Sequence, residues 1–156
     1  MRRPIVVLGL GNPLMADDGI GVELVERLAQ EAGRYPAVDI IDAGTGGMSV
    51  LHMIEGRRKA ILIDSAHMGE TPGTIRRFTP EEVRSAKILA HQSLHEADLL
   101  RVLTLAEQLG QAPETMVIFG IQPQVVEPRQ GVSGILLDRV DHYLTEIRSE
   151  LERSAG

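Results

Sequence analysis

Acidic side chains stand where three apolar runs of this chain end. Asp17 and Asp18 follow Ile5, Val6, Val7 and Leu8; Asp42 ends the run from Val38; Asp64 ends the run from Ala60 and leads into Ser65 and His67. If the three runs are parallel neighbouring strands, all these groups gather at one edge of a sheet. Carboxylates joined there by an imidazole make a mixed oxygen–nitrogen site, suited to zinc, nickel, manganese or iron rather than to magnesium alone. A metal in such a site can polarise a carbonyl and lower the pKa of a bound water.

Each group also has a plainer reading. Asp17 or Asp18 can serve as the cap of the helix that follows, though two acids where one would serve leave the other to explain. Of the five histidines, His142 lies among charges and reads as a surface residue, and His52, in a short helix, reads as structural. His67, His91 and His95 remain as candidate ligands, each against the alternative of an ordinary, partly exposed histidine.

The acids belong to the block Gly9–Gly21, GLGNPLMADDGIG, at a strand–loop–helix junction. Open α/β sheets place their sites there, outside the carboxyl ends of strands. The block is not a dinucleotide fingerprint. Gly9 and Gly11 are present, but the third glycine, which lets helix pack on strand, is replaced by Leu14. Two acids would also repel a pyrophosphate. No H-E-x-x-H, G-x-S-x-G or P-loop occurs. Ser65 directly after Asp64 is poorly placed for a triad, and no base marks Thr45 as a nucleophile.

Strand and helix patterns alternate along the chain and supply the frame. Strands are expected at about Pro4–Leu10, Val38–Asp42, Ala60–Asp64 and Thr115–Gly120, with a short edge strand at Thr74–Phe78. Apolar residues at helical spacing predict a helix over about Gly19–Ala32, carrying Val22, Leu24, Val25 and Leu28. A short helix should follow the loop Ala43–Gly47, with Met48, Leu51 and Ile54 on one side, and Thr79-Pro80 reads as another helix start. Ser93 should cap a longer helix with Leu99, Val102, Leu103, Ala106 and Leu109 inward, ended by Gly110. The last helix is expected from about Ser133 to Glu152. This alternation predicts an α/β three-layer sandwich: a mainly parallel, twisted sheet of about five strands with helices on both faces. Residues 1–156 are expected to form a single domain.

Composition narrows the partners. A net charge of −6 without a basic run argues against nucleic acid. No apolar segment approaches membrane-spanning length, and MRRP leads straight into a strand, so neither membrane insertion nor a secretory signal is expected. The absence of cysteine removes disulfides, thiolate ligands and a cysteine nucleophile, and fits a cytoplasmic location.

Five blocks in order, GLGNPLMADDGIG, DAGTGG (Asp42–Gly47), LIDSAHMGETPGTIRRF (Leu62–Phe78), SLHEADLL (Ser93–Leu100) and IFGIQP (Ile118–Pro123), resemble the hydrogenase maturation endopeptidases of nickel–iron hydrogenases. The resemblance spans nearly the whole chain and rests on the joint order and spacing of the blocks. It implies an aspartic-type or metal-assisted processing endopeptidase that removes a C-terminal extension from the large-subunit precursor of a [NiFe]-hydrogenase after nickel insertion. It carries the family's two acids and histidine onto Asp18, Asp64 and His95, as catalytic and metal-binding residues. Family members have Glu or Asp at the first position; this chain has the shorter Asp18, which changes how far the carboxylate reaches. The histidine block aligns without a gap on His95, whereas His91 needs an insertion. Asp42, Gly44, Thr45 and Gly46 fall in the segment implicated in substrate recognition. The implied metal is nickel, supplied by the substrate, although zinc or cadmium can occupy such a site in vitro. The implied partner is the precursor, and the protein is expected to be a monomer. Within this resemblance the three residues either take part in cleavage or only recognise nickel while an acid acts as general base.

Two other function classes fit parts of the pattern. A non-catalytic, metal-sensing chaperone of a hydrogenase subunit would use the same site without cutting. A nucleoside phosphorylase-like enzyme would use Gly44–Gly47 for phosphate, against the acids that crowd the site.

Overall fold

The computed structural model describes residues 2–86 and 94–154. Five strands form one sheet: β1 (Ile5–Leu10), β2 (Val38–Gly44), β3 (Lys59–Ser65), β4 (Ile75–Phe78) and β5 (Thr115–Ile121), in the order β2-β1-β3-β5-β4. All pairings are parallel except β4 with β5. The helices are α1 (Ile20–Ala29), α2 (Ser49–Ile54), α3 (Pro80–Ala86), α4 (Leu94–Gln108), α5 (Gly134–Leu137) and α6 (Val140–Ser154). The three-layer α/β sandwich expected from the alternating pattern is the fold observed.

Strands β1 and β3 are buried at every position, which is why their sequences read as unbroken apolar runs. Side chains alternate along β1. Val6, Leu8 and Leu10 pack with α2 (Val50, Leu51, Ile54) and α4 (Leu99, Val102, Leu103, Ala106). Ile5 and Val7 pack on the other face with α1 (Ile20, Leu24, Val25, Leu28) and α6 (Val140, Tyr143, Leu144, Ile147, Leu151). The edge strand β4 exposes Arg76 and Arg77, and charge on an edge discourages pairing with another chain.

The glycine needed for close helix–strand packing is supplied from another place than the fingerprint's third position. A side chain on Gly21 would bring its Cβ 2.3 Å from the Ile63 carbonyl oxygen and 2.6 Å from that of Leu10. One on Gly9 would stand 2.4 Å from the Gly21 carbonyl oxygen. The start of α1 therefore lies directly on β1 and β3, and Leu14 is left 64% exposed on the loop.

Three expectations are corrected. The last helix is broken into α5 and α6 between two anchors: Ser133 is bonded to Asp17, and the Tyr143 hydroxyl donates to the Gly73 carbonyl at 2.6 Å. Met48 precedes α2 and is 44% exposed, so Val50 takes the inward place with Leu51 and Ile54. Leu109 lies past the end of α4 and is 54% exposed. Among the described residues no helix is long and apolar enough to cross a membrane.

Candidate active site

β1 lies between β2 and β3, and the crevice between β1 and β3 is where successive connections leave in opposite directions. Ligands of open α/β sheets bind at such a switch point, outside the carboxyl ends of the strands. Gly9 is level with Asp42 on one side and with Ile63 on the other. Asp18, Asp42 and Asp64 therefore all lie at the carboxyl edge, as expected.

Asp18 and Asp64 come together there. Asp18 sits in the single 3-10 turn Ala16–Gly19 ahead of α1, and Asp64 is the penultimate residue of β3. Each is only 6% exposed. The Asn12 amide donates to Asp18 Oδ2 at 2.9 Å, and the Ser65 hydroxyl donates to Asp18 Oδ1 at 2.9 Å. The Ser65 amide donates to Asp64 Oδ1 at 2.8 Å. Gly11 lies beside both acids: a Cβ there would stand 1.9 Å from the Asp18 carbonyl oxygen and 3.6 Å from Asp64 Oδ1. Among the described residues no group of three acidic or histidine side chains is arranged to hold a metal. His95 is the second residue of α4, but its side chain, like the whole of His91, lies outside the described residues.

Asp17 is not a helix cap. Neither Asp17 nor Asp18 makes a side-chain cap bond to the turn or to α1. Asp17 is fully buried and accepts four hydrogen bonds: from the amides of Gln124 (2.8 Å), Val125 (3.0 Å) and Ser133 (2.6 Å), and from the Ser133 hydroxyl (2.9 Å). Burial pushes its pKa up, but the amides of Ser133, Val125 and Gln124 and the Ser133 hydroxyl outweigh that and hold it below the ordinary carboxylate range. Backbone bonds reinforce the attachment. The Ala16 amide donates to the Arg129 carbonyl at 2.7 Å, the Asp17 amide to that of Val125 at 3.0 Å, and the Arg129 amide to that of Leu14 at 3.0 Å. The loop after β5 is thus strapped across the segment that carries Asp18. The only local sign of this role was the doubled acid; its partners lie more than a hundred residues away in the chain.

The glycine-rich loop adjoins the same edge. Asp42 is exposed, and its Oδ1 accepts from the Gly44 amide at 2.8 Å. The Gly44 carbonyl accepts from the Gly11 amide at 2.7 Å, which hooks this loop to the one bearing Asp18. The Gly46 amide donates to the Ala43 carbonyl at 3.0 Å, while Thr45 is exposed. The Gly44 and Gly46 amides are thus engaged within the loop rather than open to a phosphate. His67 is exposed two residues beyond Ser65. His142 is on the surface as expected. His52, expected to be structural, instead has a side chain 74% exposed, 3.7 Å from Glu55.

Known proteins share this arrangement of chain and sheet. The family model described as hydrogenase maturation protease matches residues 22–150. The chain is 32% identical over 151 residues to the hydrogenase 2 maturation protease of Escherichia coli, covering 96% of this chain and 92% of that one. It is 35% identical over 127 residues to the hydrogenase expression/formation protein HoxM of Cupriavidus necator, covering 81% of this chain but only 63% of that longer one. Its fold superposes on the hydrogenase maturating endopeptidase HybD from E. coli with a TM-score of 0.85 and 31% identity, over 99% of this chain and 94% of that one. Matched along most of its length in sequence and nearly all of it in structure, the chain belongs to the hydrogenase maturation protease family.

Proposed function

We propose that the protein is an endopeptidase that removes the C-terminal extension of a [NiFe]-hydrogenase large-subunit precursor after nickel insertion, with Asp18, Asp64 and His95 reading the nickel. The observation that carries this is the meeting of Asp18 and Asp64 at the switch point, both buried and joined through Ser65. The nickel belongs to the substrate and arrives with it. Two carboxylates and an imidazole form a donor set suited to such a borderline cation. The position of His95 supports the third place: Leu99, one helical turn further on, lines a small cavity with Asp64 and Ser65.

In this reading Asp18 and Asp64 provide the negative charge that recognises a loaded centre. Nickel in that position would polarise the scissile carbonyl and lower the pKa of a bound water. The loop Asp42–Gly46 receives the precursor chain beside the acids, through the exposed Asp42 and Thr45. Cleavage then becomes a check on metal loading, and a precursor without nickel is left uncut.

The test is to incubate the full chain with nickel-loaded and with nickel-free precursor and to weigh the products. Shortening of the loaded precursor alone is expected. No shortening of either would favour a docking protein that does not cut. Rapid cutting of the nickel-free form would remove the gating idea. Asp18→Asn and Asp64→Asn should each reduce cleavage by more than about a hundredfold, beyond the usual cost of losing a ligand's supporting partner, with thermal melting little changed.

A further inference from the structure

Ser65 is bonded to both acids, and with two different groups. Successive side chains of a strand point to opposite faces. The residue directly after Asp64 keeps its amide within reach of the Asp64 carboxylate while its side chain leaves the strand on the other face. Ser65 does both: hydroxyl to Asp18 Oδ1 at 2.9 Å, amide to Asp64 Oδ1 at 2.8 Å. It is 7% exposed, so water does not readily replace the hydroxyl. It is also held rigidly, level with Ile121 of β5 at the end of β3, with the next amide, that of Ala66, donating to the Ile121 carbonyl at 2.9 Å.

We propose that Ser65 is a positioning residue: its hydroxyl fixes the orientation of the Asp18 carboxylate relative to Asp64, so that the two acids are preset to receive one divalent cation. This rests on the reading of Asp18 and Asp64 given above. A carboxylate oxygen has more than one lone pair, so a donor at Oδ1 orients the group without using up its capacity to bind. The arrangement matters because Asp18 hangs from a loop and turn, whereas Asp64 is set in the sheet. Without the hydroxyl, Oδ1 loses the donor that ties the Asp18 carboxylate to β3, while the Asn12 amide continues to hold Oδ2. Donors that support metal ligands in this way commonly contribute ten- to a hundredfold in metal affinity or activity.

The experiment compares the unaltered chain with Ser65→Ala, Ser65→Thr and Asp18→Asn. Nickel(II) and cadmium(II) binding to the free protein is measured by calorimetry, cleavage of nickel-loaded precursor is resolved into kcat and KM, and thermal melting is followed. Ser65→Ala should weaken cation binding by about ten- to a hundredfold and lower kcat with little change in the KM for precursor. Its melting temperature should stay within a few degrees, and Ser65→Thr, which keeps the hydroxyl, should recover most of the affinity. Native affinity and kcat in Ser65→Ala, alongside their loss in Asp18→Asn, would overturn the positioning role and leave the two-acid site standing. Native binding and cleavage in Asp18→Asn would overturn the site itself, and Ser65 with it. A loss of kcat in Ser65→Ala beyond about ten-thousandfold with cation affinity intact would also count against positioning, because that is the scale of losing a nucleophile.

Discussion

Asp17 and Ser133 stand 116 positions apart in the chain and are bonded twice: the Ser133 amide lies 2.6 Å from Asp17 Oδ1 and the Ser133 hydroxyl 2.9 Å from Oδ2. With the amides of Gln124 and Val125 they make a closed set of four donors on one buried carboxylate. The strap after β5 and the segment carrying Asp18 are thereby one unit.

Replacing that carboxylate with an amide turns one acceptor into a donor facing donors. Asp17→Asn should therefore cost about 2–3 kcal/mol, the scale of buried charged hydrogen bonds, rather than the roughly 1 kcal/mol of a lost helix cap. Urea denaturation measures this directly. A loss under 1 kcal/mol would mean that the strap is held without Asp17.

The frame of the molecule was open to reading because local patterns determine it. β1 and β3 are apolar at nearly every position because both of their faces are covered, and their carboxyl ends follow from chain direction. That was enough to place Asp18 and Asp64 at one edge. The partners of Asp17 were hidden because hydrogen bonds spanning more than a hundred residues leave no periodicity. Met48 and Leu109 misled for a different reason: helical spacing continues past the point where the helix stops, and a residue just outside it loses the face that the spacing assigns. The bond from Ser65 to Asp18 has no local sign in the sequence, because it depends on how the 3-10 turn ahead of α1 packs onto β3.

Gly46 tests the role of the loop beside the acids. Its φ is +78°, and a Cβ there would stand 3.2 Å from Leu10 Cδ2 and 3.3 Å from Val50 Cγ2. Valine in this conformation carries strain on the order of 1–3 kcal/mol, and its branches would press on both neighbours. Gly46→Val should raise the KM for precursor by about two- to tenfold, if half of that strain is expressed as a displaced loop. An unchanged KM in a variant that melts normally would remove the loop from substrate docking.

At the far end of the sheet, Glu150 contributes to acid stability. Glu150 is 2% exposed and accepts from Lys59 Nζ at 2.6 Å, Arg77 Nε at 2.6 Å and Arg153 Nη1 at 3.2 Å. Burial raises its pKa, but the bonds and charges of Arg77 and Lys59 outweigh this and bring it from 4.5 to about 2. A depressed folded pKa stabilises the fold above the unfolded value, and that stability is lost as pH falls through the folded one. The fold should accordingly lose on the order of 3 kcal/mol between pH 5 and pH 2 through this group. Denaturant titrations at several pH values should show that slope in the unaltered chain. Glu150→Gln should flatten it while lowering stability at neutral pH, since Lys59 would lose its buried partner.

The choice between His91 and His95 is the sharpest test of the site's third member. α4 begins at Leu94, so His95 falls in its first turn, while His91 and Ser93 lie outside the described residues. Leu99 and Leu103, four and eight positions after His95, are 5% and 1% exposed and pack in the core with Leu8 and Leu10. Residues at this spacing share one side of a helix, so position 95 heads the side that faces the sheet. Leu99 also lines the cavity shared with Asp64 and Ser65. His95→Ala is therefore expected to lose nickel and cadmium binding and precursor cleavage together, by more than about a hundredfold, as for a direct ligand. His91→Ala should keep both. Calorimetry with either cation and product masses from the loaded precursor read the pair side by side. Loss with His91→Ala and retention with His95→Ala would transfer the third place to His91.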